Sequence, residues 1–113
     1  MEIAFINKSI RRLCENEAQG KIELGVKRAK ALRRRLADLR AATCVSDLVV
    51  GNPREINASG RRKIVVDLCN DTRLVFCPNH KTTPKLKVGG VDWSRVGRIK
   101  ILKIERDHAS SPV

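Results

Sequence analysis

Apolar and polar residues alternate most regularly over residues 63–77, K-I-V-V-D-L-C-N-D-T-R-L-V-F-C. Residues 64–68 and 73–77 are rich in β-branched and apolar side chains, which predicts two strands. Asn70-Asp71 between them is a pair typical of tight turns that use positive φ. The stretch therefore predicts a β-hairpin with a loop of two or four residues, and we expect the rest of the chain to be organised around it.

The second strand of this hairpin carries an arginine among apolar neighbours. Because side chains alternate across a strand, Leu74 and Phe76 are expected on one face. Arg73 and Cys77 then lie on the other face. A guanidinium keeps its charge and is almost never buried unpaired, so Arg73 should face a groove, a carboxylate or a phosphate. The simpler alternative is a solvated sheet face on which Arg73 pairs with Asp67 across the hairpin.

Residues 21–42 repeat apolar side chains at steps of three and four, which predicts a long amphipathic helix with one buried stripe. The stripe consists of Ile22, Val26, Ala29, Leu32, Leu36 and Leu39. The opposite face carries Lys27, Lys30, Arg34 and Arg35. This basic face is either simply solvated, or it follows phosphates or binds an acidic partner. A shorter helix is expected after Ser9, and residues 16–20 are expected to end it.

Three further segments are predicted as strands: residues 1–5 at a sheet edge, residues 54–59, and residues 98–105. Residues 78–97 contain prolines and a Gly-Gly pair, so we expect a long loop there. The C-terminus is expected to fray from about residue 109. The order of elements predicts a single α+β domain over residues 1–113, with a small antiparallel β-sheet packed on one long and one short N-terminal helix.

Composition adds a strong positive charge, since Lys and Arg number 24 against 12 Asp and Glu, for a formal charge of +12. The excess is spread along the chain, and nucleic acid is the leading partner because neutralised phosphates release counterions. An acidic protein partner is compatible with the same charge. No lipid-anchoring signal accompanies the basic helix, so no membrane partner is expected. The aromatic residues are Phe5, Phe76 and Trp93, too few for a base-stacking platform.

The four cysteines, Cys14, Cys44, Cys69 and Cys77, show no C-x-x-C spacing, and no apolar signal segment precedes them. We therefore expect free thiols in a reducing cytoplasm. Cys77 and His80 form a C-x-x-H that could hold zinc together with Cys69 or His108. Buried thiols are the simpler interpretation, and no metal or cofactor is expected.

Four stretches carry a family resemblance: A-K-A-L-R-R-R-L-A-D-L-R-A-A-T at 29–43, V-D-L-C-N-D-T-R-L-V-F-C-P at 66–78, G-G-V-D-W at 89–93, and I-K-I-L-K-I at 99–104. Together they resemble the plasmid maintenance killer proteins of the RelE/HigB type, in the order found in that family. The resemblance implies a RelE-like fold and the toxin of a type II toxin–antitoxin system. Such a toxin is an mRNA endoribonuclease that commonly cuts on the ribosome and so inhibits translation. A helix-turn-helix antitoxin neutralises it, and operator DNA is contacted only through the antitoxin complex.

The resemblance also implies that Arg73 engages the scissile phosphate. Metal-independent RNA cleavage needs a base for the 2′-OH, an acid for the 5′-oxygen, and fixed cations for the charge that develops on the phosphate. Arg73 is expected to supply the last of these, helped by Arg62 or Lys63. His108 is a candidate acid or base because a histidine side chain ordinarily titrates near neutrality, and Asp107 is adjacent.

Other basic residues are candidate RNA contacts. The Arg61-Arg62-Lys63 triplet directly precedes the hairpin and could gather around one phosphate, or it could simply protect a sheet edge from aggregation. Arg34 on the predicted helix and Lys81 in the predicted loop complete the set.

Two positions depart from the family pattern. Ile56 stands where relatives often carry a histidine, and Arg106-Asp107-His108 stands where they often have D-Y-H. The identity of the proton carrier is therefore open, with His80 in the long loop as a reserve candidate. The alternative function is a catalytically impaired basic module of the same fold that binds RNA or protein.

Overall fold

A single mixed β-sheet organises the protein. The structure, a computed structural model, describes residues 1–58 and 60–107. Within these residues the strands lie in the order β1-β5-β4-β3-β2. They are β1 (Glu2–Phe5), β2 (Arg54–Ala58), β3 (Arg61–Cys69), β4 (Thr72–Pro78) and β5 (Arg98–Arg106). The predicted α+β class is confirmed.

The sequence pattern predicts a purely antiparallel sheet, and this prediction is wrong. Strand β1 pairs in parallel with β5, whereas the other neighbouring strands are antiparallel. A hairpin forces its two strands to run in opposite directions, but β1 reaches the sheet edge through the helical region and is free of that constraint. The prediction of an edge position for β1 is confirmed.

Three α-helices precede β2 in the chain: α1 (Lys8–Glu15), α2 (Glu17–Leu24) and α3 (Val26–Ala41). The short helix ends at Glu15, as expected, but residues 17–20 do not interrupt the helical region, because Asn16 Oδ1 accepts the Gln19 N–H at 3.0 Å and caps a new helix at once. The expected continuous helix from residue 21 is also wrong. It is divided at Gly25, whose φ of 88° cannot continue an α-helix.

The core lies between the helices and one face of the sheet, which we call the inner face. Leu32, Leu36 and Leu39 of α3 are almost fully buried there, as the predicted stripe requires. Leu74 and Phe76 of β4 are completely buried on the inner face. Ile22 and Val26 do not belong to the stripe, since they are 78% and 62% exposed on either side of Gly25.

The predicted hairpin is confirmed, and its loop consists of two residues, Asn70 and Asp71. Among the described residues, Asn52 is the one non-glycine residue with a positive φ. The turn therefore lacks the left-handed conformations that its sequence suggests. Instead, Arg28 of α3 donates from Nε to Asp71 Oδ1 at 3.2 Å and to Thr72 Oγ1 at 3.1 Å. A helix side chain thus holds the turn in place.

Candidate nucleic-acid interface

The sheet face opposite the core, which we call the outer face, brings several predicted site residues into register. Because Leu74 and Phe76 point into the core, the alternate residues Arg73 and Cys77 point outward. Arg73 lies directly between Asp67 of β3 and Glu105 of β5. These positions fix the environment of the candidate catalytic arginine.

Arg73 is half-buried, and the two carboxylates beside it pair with other cations. Asp67 instead pairs with Arg54, at 3.0 Å between Nη2 and Oδ1. Glu105 pairs with Lys103, at 3.4 Å between Nζ and Oε2. In the described parts of the chain, no ion pair or hydrogen bond involves the Arg73 guanidinium, so the alternative Asp67–Arg73 pair does not form. An external anion can therefore bind there.

Further along β4, three cations surround the thiol of Cys77: Arg61, Lys63 and Lys100. We call this group the Cys77 cluster. Burial raises the pKa of the Cys77 thiol, and the positive charges of these three side chains lower it in part. None of the three makes an ion pair or hydrogen bond with the residues that the structure describes. The cluster is thus a second place on the outer face where an anion would be stabilised.

Lys100 is the member of this cluster that sequence reasoning missed. It lies opposite Cys77 because β5 pairs with β4 in a register that shifts by one residue between Val75 and Phe76. The alternation of I-K-I at residues 99–101 indicates an outward lysine. No local pattern indicates which residue of β4 it meets.

Arg62 does not join its neighbours in the basic triplet. Adjacent residues of a strand point to opposite faces, so Arg62 points away from Arg61 and Lys63. Its Nε lies 3.6 Å from Glu55 Oε2 of the neighbouring strand. Two residues of the triplet, Arg61 and Lys63, therefore lie on the outer face, whereas Arg62 lies on the inner face.

Asp107 lies at the Arg73 end of the sheet. Its N–H donates to the carbonyl oxygen of Asp71 at 2.8 Å, which holds the chain after β5 beside the hairpin turn. Strand register places Glu105 opposite Arg73, two residues earlier. His108, the other proton-transfer candidate, lies outside the described residues, and its role stays a prediction.

The other predicted contacts lie apart from Arg73. Arg34 is exposed on α3 and lines a groove of about 670 Å³ between α1 and α3, on the helical side of the sheet. Lys81 is exposed in the loop that leaves β4, beyond the Cys77 cluster. His80 accepts the Gly97 N–H through Nε2 at 3.2 Å, so a backbone contact occupies that nitrogen.

An ion pair between Arg28 and Asp71 anchors the turn next to Arg73. Hydrogen bonds from Arg28, then Thr72, then Cys69 hold the pKa of the Asp71 carboxyl well below its ordinary range. The same pairing raises the pKa of Arg28. Both groups are therefore charged at any pH at which the protein is expected to work.

We expect Asp71→Asn to lower the free energy of unfolding at neutral pH and to have less effect in acid. The folded-state pKa of Asp71 is depressed, so its contribution is complete above the ordinary carboxyl pKa of about 4 and is lost as the pH falls below it. Urea unfolding of both proteins between about pH 3 and pH 7 measures the difference. Asp47→Asn, at an exposed position, is the control. A stability difference that does not vary with pH would contradict this linkage.

Comparison of the chain with protein-family models, curated proteins and solved structures found no match. Among the described residues, no group of three or more His, Cys, Asp or Glu side chains could hold a metal ion. None of the helices described above is long and apolar enough to cross a bilayer. The function is therefore inferred from the outer face and from the sequence pattern.

Proposed function

We propose that this protein is a toxin of the RelE/HigB type, an endoribonuclease that binds mRNA across the outer face and cuts it beside Arg73. The observation that carries the proposal is that the Arg73 guanidinium, on the sheet face opposite the core, has no ion-pair or hydrogen-bond partner within residues 1–58 and 60–107. A formal charge of +12 supplies the long-range attraction to RNA. Arg73 supplies the local phosphate contact.

The proposed reaction uses the RNA's own 2′-oxygen as nucleophile. A base removes the 2′-OH proton, a bond forms from the 2′-oxygen to phosphorus, and the bond from phosphorus to the 5′-oxygen breaks as an acid protonates that oxygen. The products are a 2′,3′-cyclic phosphate and a 5′-hydroxyl. Negative charge grows on the non-bridging oxygens, where the planar guanidinium of Arg73 can donate two parallel hydrogen bonds. Asp107 and His108 are the proposed proton carriers.

The unpaired cations of the outer face suggest the path of the RNA. Arg73 and Cys77 are four positions apart along β4, or roughly 13 Å at about 3.3 Å per residue. The Cys77 cluster therefore lies far enough from Arg73 to hold a different phosphate of the same strand. On either side of this line, Asp67 and Glu105 neutralise Arg54 and Lys103. We expect RNA to run along β4, between these two neutralised pairs.

The remaining parts of the proposal follow from the family resemblance. A helix-turn-helix antitoxin would neutralise the toxin by covering the outer face or the basic surface of α3. The ribosome would present the mRNA, and operator DNA would be contacted only through the antitoxin complex.

A second candidate function is a non-catalytic RNA-binding module of the same fold. The register favours it in one respect, because the carboxylates of Asp67 and Glu105 flank Arg73 and would repel a phosphate there. In the strands that the structure describes, the register places no carboxylate opposite the Cys77 cluster, since Ile56 lies opposite Lys63 and Ala4 lies opposite Lys100. RNA would then bind at the cluster without being cut.

Cleavage and salt-dependent binding, measured on the purified protein, separate the two functions. For the toxin we expect mRNA to yield fragments that begin with a 5′-hydroxyl, either as free RNA in the presence of EDTA or on intact ribosomes in a buffer that contains Mg²⁺. For both functions, Lys63→Ala and Lys100→Ala should each reduce the slope of log affinity against log salt by about 0.7, the value for one lost phosphate contact on a single strand. Arg34→Ala, on the helical side, should leave this slope unchanged.

The outcomes of these measurements are distinct. Salt-dependent binding without fragments, at high protein concentration and with ribosomes present, supports the binding module and overturns the nuclease. Slopes that respond to Arg34→Ala but not to Lys100→Ala would place the RNA on the helices and contradict the outer-face interface. Negligible affinity for RNA would contradict both functions.

A further inference from the structure

Arg28 of α3 directs two of its three guanidinium nitrogens at the hairpin turn. Nε donates to Asp71 Oδ1 at 3.2 Å and to Thr72 Oγ1 at 3.1 Å, and Nη2 forms the ion pair with Asp71 Oδ2. Nη1 donates back to the Leu24 carbonyl oxygen at 3.2 Å. Every nitrogen of this side chain therefore has a partner, so the position of the turn relative to α3 is fixed.

The Asp71 carboxylate joins both strands of the hairpin to this contact. Thr72 at the start of β4 donates its hydroxyl to Asp71 Oδ1 at 2.9 Å. Cys69 at the end of β3 donates its thiol to the same oxygen at 3.3 Å. Thr72 is completely buried, so its hydroxyl depends on these protein partners.

The backbone of Asp71 extends the network to β5. Its carbonyl oxygen accepts the N–H of Asp107 at 2.8 Å. The pairing of β4 with β5 shifts between Val75 and Phe76, so the contacts beyond this irregularity do not share the register of the rest of the sheet. On the turn side of this irregularity, four strand pairs from Val75–Lys103 to Thr72–Arg106 hold β5 in register, and the Asp71–Asp107 contact extends that pairing past the end of the strand.

We propose that Arg28 is a positioning residue for cleavage: through Asp71 it fixes the exit of β5 at Asp107, at the Arg73 end of the sheet. The catalytic half of this inference rests on the proposed function, whereas the positional half does not. Arg28 itself lies on the far side of the turn and touches no reacting atom. Its effect is to set the distance between Arg73, the proposed phosphate contact, and Asp107, and small errors in such a distance are costly for catalysis.

Two readouts test the proposal on Arg28→Ala. Amide hydrogen exchange, followed by NMR, should become at least about tenfold faster at Asp107 and stay unchanged at Val75 in the centre of β4. The kcat for RNA cleavage should fall about 10- to 100-fold, the size of effect expected when reacting groups are displaced by about 1 Å. KM should change little, because Arg73 and the Cys77 cluster are left in place.

Companion variants separate positioning from general loss of stability. Leu13→Ala removes a partly buried side chain of α1 that packs on the core but has no part in the network. It should destabilise the fold while Asp107 exchange and kcat stay close to those of the parent. Arg28→Lys keeps the charge and loses the planar fork, so it should give an intermediate value in both readouts. It also provides the test if Arg28→Ala does not fold.

Each result decides one half of the inference. Unchanged exchange at Asp107 in both Arg28 variants would overturn the positional half. Faster exchange at Asp107 with an unchanged kcat in the Arg28 variants would overturn the catalytic half. The same follows if Leu13→Ala loses as much kcat as Arg28→Ala when the two proteins are equally stable. If the parent protein does not cleave RNA at all, the proposed function fails and the catalytic half fails with it, while the exchange measurement still decides the positional half.

Discussion

Arg73→Ala is expected to slow RNA cleavage by about 10²- to 10³-fold, the usual cost of removing one preorganised donor from a developing oxyanion. If the parent protein arrests growth on expression, as the proposed function requires, Arg73→Ala should abolish that arrest. Among the described residues, Arg73 is the only cation in its row of the outer face, since Asp67 and Glu105 lie opposite it, so neither neighbour in that row can replace the proposed phosphate contact. The rate of fragment formation at fixed RNA and protein concentrations measures the effect.

Arg62→Ala is the matched control for Arg73→Ala. Arg62 also lies in the central hairpin, but its guanidinium is turned to the other side of the sheet, beside Glu55. Its loss should leave the cleavage rate within about twofold of the parent, an energy difference well under 1 kcal/mol. Arg73→Lys should restore only part of the rate, because an ammonium cannot form the paired hydrogen bonds of a guanidinium. The phosphate role of Arg73 is wrong if Arg73→Ala cuts RNA as fast as the parent.

Phe76→Ala is expected to lower the free energy of unfolding by about 3–5 kcal/mol. Phe76 is completely buried on the inner face, where it packs with the α3 leucines, so the substitution leaves a cavity that rigid neighbours on both sides cannot fill. Domains of this kind have a total stability of about 5–15 kcal/mol, so a large unfolded population should follow. Urea unfolding followed by circular dichroism measures the loss.

Val88→Ala is the control for this core substitution. The Val88 side chain is 94% exposed in the loop between β4 and β5. Its truncation should change the free energy of unfolding by no more than about 0.5 kcal/mol. A Phe76→Ala protein as stable as Val88→Ala would show that Phe76 is not central to the core.

The hairpin and the buried face of α3 could be predicted because both depend on local periodicity. The division of the helix at Gly25 could not. The spacing from Ile22 to Val26 to Ala29 continues at helical steps through Gly25, and an isolated glycine is compatible with a helix. Only the backbone conformation, with a φ of 88°, shows that the chain turns there and leaves Ile22 and Val26 exposed.

Only some residues of the candidate site could be predicted from the sequence. Alternation along β4 places Arg73 and Cys77 on one face, and alternation along β3 could already have excluded Arg62 from the site. The presence of Lys100 beside Cys77 depends on the irregular register between β4 and β5, which no local pattern specifies. The contact of Arg28 with the turn depends on how α3 packs on the sheet, so it could not be predicted from the sequence either.

The parallel pairing of β1 with β5 has a consequence for folding during translation. Glu2 pairs with Arg98, so all of residues 3–97 must be synthesised before β1 finds its partner. Forming a contact between such distant segments costs chain entropy, because a long loop must close, and this slows the folding of a domain. Until β5 has emerged from the exit tunnel, Ile3 and Phe5 remain without the neighbouring strand that shelters them, and the nascent chain is open to aggregation or to capture by a chaperone.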